Sequence, residues 1–251
     1  MALPSIAASY RNARSTPRRS PMSDSTTLLS ARIGDIAARR PGAATVFQNF
    51  GFDFCCGGDR TLSEVIDAAH ALPAPVLGAL AAAAPAAGAG GETWADAPAS
   101  LLIEHIKSRY HALHLQEIPQ LRDLATKVEV VHRDNPNVLS GLAVLLARLL
   151  AEIRVHQQRE EVVLFPLLLR GDGSMAASAI QIMRAEHDDH GAALALIDKI
   201  THNRSVPAEV CATWRGLYLG LTRLRMDLTM HVHLENNILF PRYEHAEEVR
   251  R

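Results

Sequence analysis

Two stretches of the chain, 75 residues apart, carry the same polar exceptions in the same hydrophobic frame. In the later one, Leu217, Leu221, Leu224, Leu228, His231, Glu235 and Ile238 step by alternating fours and threes, the spacing of a helix stripe that faces a bundle core. In the earlier one, Leu142, Leu146, Leu149, Ile153, His156, Glu160 and Val163 take the same places without a gap, and both stretches end in Leu-Phe-Pro, at 164–166 and 239–241. A match that includes both polar residues points to a duplicated helix pair. Turn signals at HRDNPN (132–137), RGDGS (170–174) and THNRSVP (201–207) separate long helical segments from residue 99 onward. The expected fold is therefore all-α, an up-down four-helix bundle over 99–246 with a small helical domain before it.

A duplication predicts matching chemistry in the partner helices. The third helix shows a stripe of Ile180, Met183, His187, His190, Leu194 and Ile197, and the first shows His111, His114, Ile118 and Leu121. His111 lies 45 residues before His156, and His187 lies 44 before His231. His114 and His190 fit nearly as well, and spacing does not choose between the members of each pair. The first helix also contains a competing stripe of Ile103, Ile106 and Tyr110, offset from that of His111.

Each half thus contributes a His from one helix and an H-x-x-x-E pair from the next, whose members are neighbours on a helix face. One such pair alone would read as an ordinary surface interaction. Two pairs in the same core phase put four imidazoles and two carboxylates in an apolar interior, which is costly unless a cation compensates the charge. No thiolate belongs to the set, so an iron-sulfur cluster or a cysteine zinc site is not indicated there. Six nitrogen and oxygen donors exceed what one tetrahedral zinc uses. Two irons about 3.5 to 4 Å apart, with bridging carboxylates, would use them all and leave positions open for a small ligand; ligand type alone leaves manganese open as well.

The rest of the chain divides into an N-terminal extension (1–29), expected to be disordered, a compact helical module with two cysteines (30–70), and an Ala/Pro/Gly-rich linker (71–98) expected to tether the module flexibly. Cys55 and Cys56 are adjacent, and a disulfide between neighbours closes a strained ring, so thiol chemistry is the functional reading, with Gly57 and Gly58 keeping the turn open and the sulfurs accessible. Cys211 reads as a small buried residue. Three cysteines make no disulfide framework and suit a reducing compartment, so the cytoplasm is the expected location. With 26 basic against 27 acidic residues, no overall field favours nucleic acid, and no apolar run approaches the roughly 20 residues of a membrane span.

The motifs FDFCCGGDRTL (52–62), RYH (109–111), HQQREEVVLFP (156–166), AEHDDHG (185–191) and HVHLENNILFP (231–241) together resemble the iron-sulfur cluster repair di-iron proteins, and the last four the wider hemerythrin-like class. The resemblance implies a short N-terminal domain joined to a hemerythrin-like bundle with a carboxylate-bridged centre of two non-haem iron ions. Carried over by position, it implies His111, His156, Glu160, His187, His231 and Glu235 as the ligands. It also places Glu152 and Glu186 near the irons, with His190 no closer than the ligands' surroundings; His105 takes a structural reading, although it lies close enough to His111 in the sequence to stand beside the ligands. Cys55 and Cys56 would carry or receive a nitrosyl, a disulfide or an iron.

The role implied is repair of iron-sulfur clusters damaged by nitrosative or oxidative stress, through iron donation, nitric oxide removal or both. Damaged or apo iron-sulfur proteins are the expected partners, and nitric oxide or oxygen the small ligand. Two other readings fit the same ligand set: a hemerythrin-like oxygen or nitric oxide binding protein, and a di-iron nitric oxide or peroxide reductase. The oligomeric state is left open, and a homodimer is compatible with it.

Overall fold

A computed structural model describes residues 25–40, 42–83, 94–135, 137–171, 173–204, 206–207 and 210–244. Residues 1–24 of the expected extension, 84–93 of the expected linker and the end of the bundle from residue 245 lie outside the described residues. Among the described residues there is no strand; the one extended pairing is an isolated antiparallel bridge between Arg32 and Thr61.

The first bundle helix runs through Ala99–His105, a π turn at Ile106–His111 and Ala112–Val131. The second comprises Leu142–Arg159, a π turn at Glu160–Leu164 and Phe165–Arg170; the third is Gly173–Ile200; the fourth comprises Ala212–Leu234, a π turn at Glu235–Leu239 and Pro241–Glu244. Each packs on its neighbours in the chain, and the fourth closes on the first. Gly171 ends the second helix at φ 74°, the left-handed conformation that glycine adopts without strain.

The π turns decide which side chains face inward. A π turn holds one more residue than an α turn, so the helix beyond it is rotated by about 100°. The offset stripe of the first helix is explained by this. Ile103, Ile106 and Tyr110 are buried before the π turn ends, His111 at its last position and His114, Ile118 and Leu121 beyond it, and both stripes meet the core. In the second and fourth helices the π turns begin at Glu160 and Glu235 and stop just before Pro166 and Pro241. Proline has no N–H and its ring crowds the carbonyl four residues back, so the wider turn relieves a clash that a regular helix would suffer.

Two apolar layers result. One contains Ile118, Leu121, Leu146, Leu149, Ile153, Leu194, Leu221 and Leu228. The other contains Ile106, Tyr110, Leu164, Phe165, Met183, Leu234, Ile238 and Phe240. Between them lies a polar layer of buried histidines and two buried glutamates. Val163, expected in the core stripe, is half exposed (50%), whereas its repeat partner Ile238 is buried. The N-terminal module accounts for the difference: Ala38 packs against the layer that holds Ile238.

That module is built from α1 (Ser25–Ser30), α2 (Ile33–Arg39), α3 (Ala43–Asn49), α4 (Leu62–Ala68) and α5 (Pro73–Ala82). Thr61 opens α4 with a reciprocal capping box to Glu64. The helix α5 falls where a linker was expected. Pro73 begins it, and Val76 and Leu80, one turn apart, are fully buried against Phe47, Phe54 and Ile66, enough to anchor an otherwise featureless Ala-rich segment.

The module also rests on the bundle instead of hanging from it. Asn237 Nδ2 donates to the carbonyls of Phe54 and Cys55 at 3.0 and 3.1 Å, and Phe54 packs edge-on against His233 at 5.2 Å between centroids. Gly34 and Gly58 make room: a Cβ at either would fall 2.5 or 2.1 Å from Asn237 Oδ1. Asn237→Ala leaves both carbonyls without this donor, a cost of about 1–3 kcal/mol where they are screened from water. Limited proteolysis should then cut between module and bundle several times faster than in the unaltered chain.

Candidate metal centre

All six residues expected as ligands converge in the polar layer, each at most 2% exposed. His111 and His231 point Nε2 at one another across 3.2 Å, and His156 and His187 do the same across 3.2 Å. Glu160 divides its carboxylate, with Oε2 3.3 Å from His111 Nε2 and Oε1 3.3 Å from His156 Nε2. Glu235 does likewise, with Oε1 3.2 Å from His231 Nε2 and Oε2 3.1 Å from His187 Nε2. The result is two donor sets, His111/Glu160/His231/Glu235 and His156/Glu160/His187/Glu235, each with its atoms within 4.8 Å of one another.

Each set takes one His from each half of the duplicated sequence. The repeat unit is thus a helix pair that supplies half of each pocket.

The donor atoms are arranged for a cation and not for each other. None of the four carboxylate oxygens has a hydrogen-bond partner, although each lies 3.1–3.3 Å from an imidazole nitrogen. Orphaned oxygens at this depth are costly without a positive charge beside them. Three imidazoles have Nδ1 engaged on the far side: His111 donates to Glu161 Oε1 at 2.7 Å, His156 to Glu186 Oε2 at 2.8 Å and His187 to Asn236 Oδ1 at 2.9 Å. A proton held at Nδ1 leaves the Nε2 lone pair turned inward, as a metal-binding histidine requires. His231 Nδ1 has no such partner, and Tyr110 stacks on its ring at 5.8 Å instead.

Charge in the metal-free layer is set by these neighbours. Burial alone would push every imidazole down, but Glu160 and Glu186 hold His156 up to about 10, and Glu160 and Glu235 raise His111. Burial and the facing positive imidazoles push His231 well down. Despite burial and mutual repulsion, the two glutamates stay below the usual carboxylate range because the imidazoles face them.

Glu186, expected near the ligands, accepts from His156 Nδ1 and is itself held by Arg159. Glu152 does not touch any of the six. It pairs with Arg148 one turn back, on the wall of a cleft of about 390 Å³ that Glu186 and His190 also line. His105 is likewise removed, stacked on Trp94 at 4.2 Å.

His114 and His190 are buried beside the cage, with ring centroids 5.4 Å from His231 and 4.8 Å from His156, and they fall outside both donor sets. Cys211 is exposed, contrary to expectation, because it stands at the N-cap of the fourth helix with its sulfur 3.2 Å from His132 Nε2. Glu161 and Asn236 are site residues that the sequence pattern alone does not single out. A signal exists for them: each comes directly after one of the paired glutamates, and the two are equivalent in the repeat.

Cys55 and Cys56 lie half-buried on the module face turned toward the bundle. Asn236 connects them to the cage, since its Oδ1 accepts from His187 and its Nδ2 donates to the Cys55 carbonyl at 3.2 Å. Gly57 and Gly58 close this turn instead of opening it: a Cβ at Gly57 would fall 2.7 Å from the Asp53 carbonyl, and one at Gly58 would strike Asn237.

Comparison with known proteins agrees with this division. Residues 102–243 match the family described as Hemerythrin HHE cation binding domain, and residues 29–84 match a domain of unknown function, DUF542. The iron-sulfur cluster repair protein YtfE of Cronobacter sakazakii is 43% identical over 216 residues, covering 84% of this chain and 94% of the relative. The proteins of the same name from Escherichia coli O157:H7 and Yersinia pseudotuberculosis serotype O:1b are each 40% identical over 84% of this chain, and over 94% and 95% of their own lengths. Among the described residues no helix is long and apolar enough to cross a membrane. A bundle with a buried histidine and glutamate cage, a cysteine module docked on it, and similarity along nearly the whole of these relatives lead to one assignment: the chain belongs to the iron-sulfur cluster repair protein family, with a hemerythrin-type cation-binding domain.

Proposed function

We propose that this chain holds two non-haem iron ions and uses them to restore damaged iron-sulfur clusters, chiefly by giving up iron to apo or damaged iron-sulfur proteins. His111 and His231 would hold one ion, His156 and His187 the other, with Glu160 and Glu235 bridging. The observation that carries this reading is the division of both carboxylates: each aims one oxygen at each pair of imidazoles. Iron bound there would supply redox exchange and open positions for a small ligand such as nitric oxide.

The protein's own part is to present four Nε2 lone pairs, fix three of the rings from behind, and keep bulk water from the carboxylates. The two pockets differ in that respect. Both imidazoles of the His156/His187 pocket are oriented at Nδ1, whereas in the other pocket only His111 is. Stepwise chelation should therefore be biphasic, with the ion between His111 and His231 leaving first, and a labile first ion suits a donor.

Partners behind ligating histidines typically contribute 10–100-fold in metal affinity. Glu186→Gln is expected to weaken iron binding by about that factor, and Glu161→Gln to do so in the more labile pocket; competition against a coloured chelator measures both. For the function itself, iron-loaded protein is mixed with an apo iron-sulfur enzyme, and iron leaving this chain is followed alongside recovered enzyme activity. Recovery without iron loss would refute donation, as would an equal effect from free iron at the same concentration.

A further inference from the structure

We infer that Asp53, Cys55 and Cys56 form a separate site for one thiophilic divalent cation, of the class of iron(II) or zinc(II), on the module face that meets the bundle. This site shares no donor with the histidine and glutamate cage, and the inference does not depend on what the cage holds.

Three observations carry it. The first is donor geometry. The two sulfurs are 3.9 Å apart, and Cys55 Sγ is 3.2 Å from Asp53 Oδ1. A tetrahedral cation with metal–sulfur bonds of about 2.3 Å has sulfur–sulfur edges of about 3.8 Å. The sulfur–sulfur distance thus already matches an edge of such a tetrahedron, and the two sulfurs and an Asp53 carboxylate oxygen all lie within 4.8 Å of one another, whereas a disulfide would require the sulfurs to close to about 2.05 Å.

The second is rigidity. Cys56 N–H donates to Asp53 Oδ1 at 3.0 Å, and Asn236 and Asn237 grip the carbonyls on either side of the Phe54–Cys55 peptide. Gly57 and Gly58 permit a fold so tight that no side chain fits there. A donor set held in this way loses little entropy on binding.

The third is access. The two cysteines and Asp53 line a cavity of about 390 Å³ between module and bundle, which Asp188 also lines from the bundle side. A second carboxylate or a water can complete four-coordination from that direction. Without a cation, the hydrogen bond to the Cys56 sulfur and burial push the Cys55 thiol up, so it keeps its proton. A protonated thiol gives up its proton to solvent on ligation, so the cation is held by two thiolates and a carboxylate with no change of oxidation state.

The test uses the reduced full-length chain with Cys211→Ser, which removes the remaining thiol, and cobalt(II) as the probe. Titration is expected to give a thiolate-to-cobalt charge-transfer band that saturates at one equivalent per chain and is displaced by zinc(II) or iron(II). Cys55→Ser and Cys56→Ser should each abolish the band while the chain keeps its helical circular dichroism and its cage cations. Asp53→Asn should weaken the band's affinity at least about tenfold. Replacing His156 and Glu160 together with leucine empties the cage and should leave the band in place. Absence of the band in the Cys211→Ser chain, its survival when both cysteines are serine, or its loss together with the cage cations would each overturn the site.

Discussion

On the proposed di-iron reading, Glu235→Leu is expected to remove both ions, not one. Each buried carboxylate serves both pockets, and its two oxygens lie within 3.1–3.2 Å of a His on either side. Leucine has about the same volume but no donor atom, so each pocket falls from four donors to three and the link between the ions is halved. Glu160→Leu should behave in the same way by the symmetry of the repeat. His231→Leu removes a donor from one pocket alone and should leave the His156/His187 ion largely in place. Elemental analysis after desalting distinguishes the two patterns. If Glu235→Leu retained one ion at full occupancy, the carboxylate would not be shared. Circular dichroism checks that all three leucine variants stay folded, since removing one partner of a buried charged pair is itself destabilising.

Stripping the metal should lower the melting temperature by about 10 °C. A site held at a thousandfold excess over its dissociation constant stabilises the folded chain by roughly 4 kcal/mol, and for a chain of this size each kcal/mol corresponds to about 2–4 °C. Chelation should not unfold the bundle outright. The apolar layers on either side of the cage are untouched by removal of the ions. Calorimetry with and without chelator measures the shift. The same chelator should leave the melting temperature of Glu160→Leu nearly unchanged, which separates loss of bound metal from a general effect of the reagent.

Much of this centre is legible in the residues because two periodicities coincide there. The step of alternating threes and fours marks the core stripe, and the shift of 75 residues marks which polar interruptions recur; together they isolate His156, Glu160, His231 and Glu235. The choice of His111 over His114 and of His187 over His190 is not contained in that pattern. All four are buried, but only His111 and His187 fall in the donor sets with the carboxylates.

The π turns leave no compositional mark, although Leu-Phe-Pro hints at two of them, and without them the two stripes of the first helix look contradictory. The helix at Pro73–Ala82 is hidden for the opposite reason, since an Ala-rich segment with two apolar anchors carries little periodic signal. Val163 shows the limit of the repeat itself. Equivalent sequence positions become inequivalent once an additional domain covers one half.

Because each pocket joins one imidazole from 99–170 to one from 173–244, neither helix pair alone owns a complete pocket. A single-copy ancestor of this bundle would have bound its ions only at the axis of a symmetric dimer, with self-assembly and metallation as one event. In one chain the two halves can differ: position 161 is a glutamate behind its histidine, whereas its counterpart, 236, is the asparagine that touches the cysteine module. The present single-chain cage is, on this view, a former subunit interface whose symmetry was broken where a second domain came to dock.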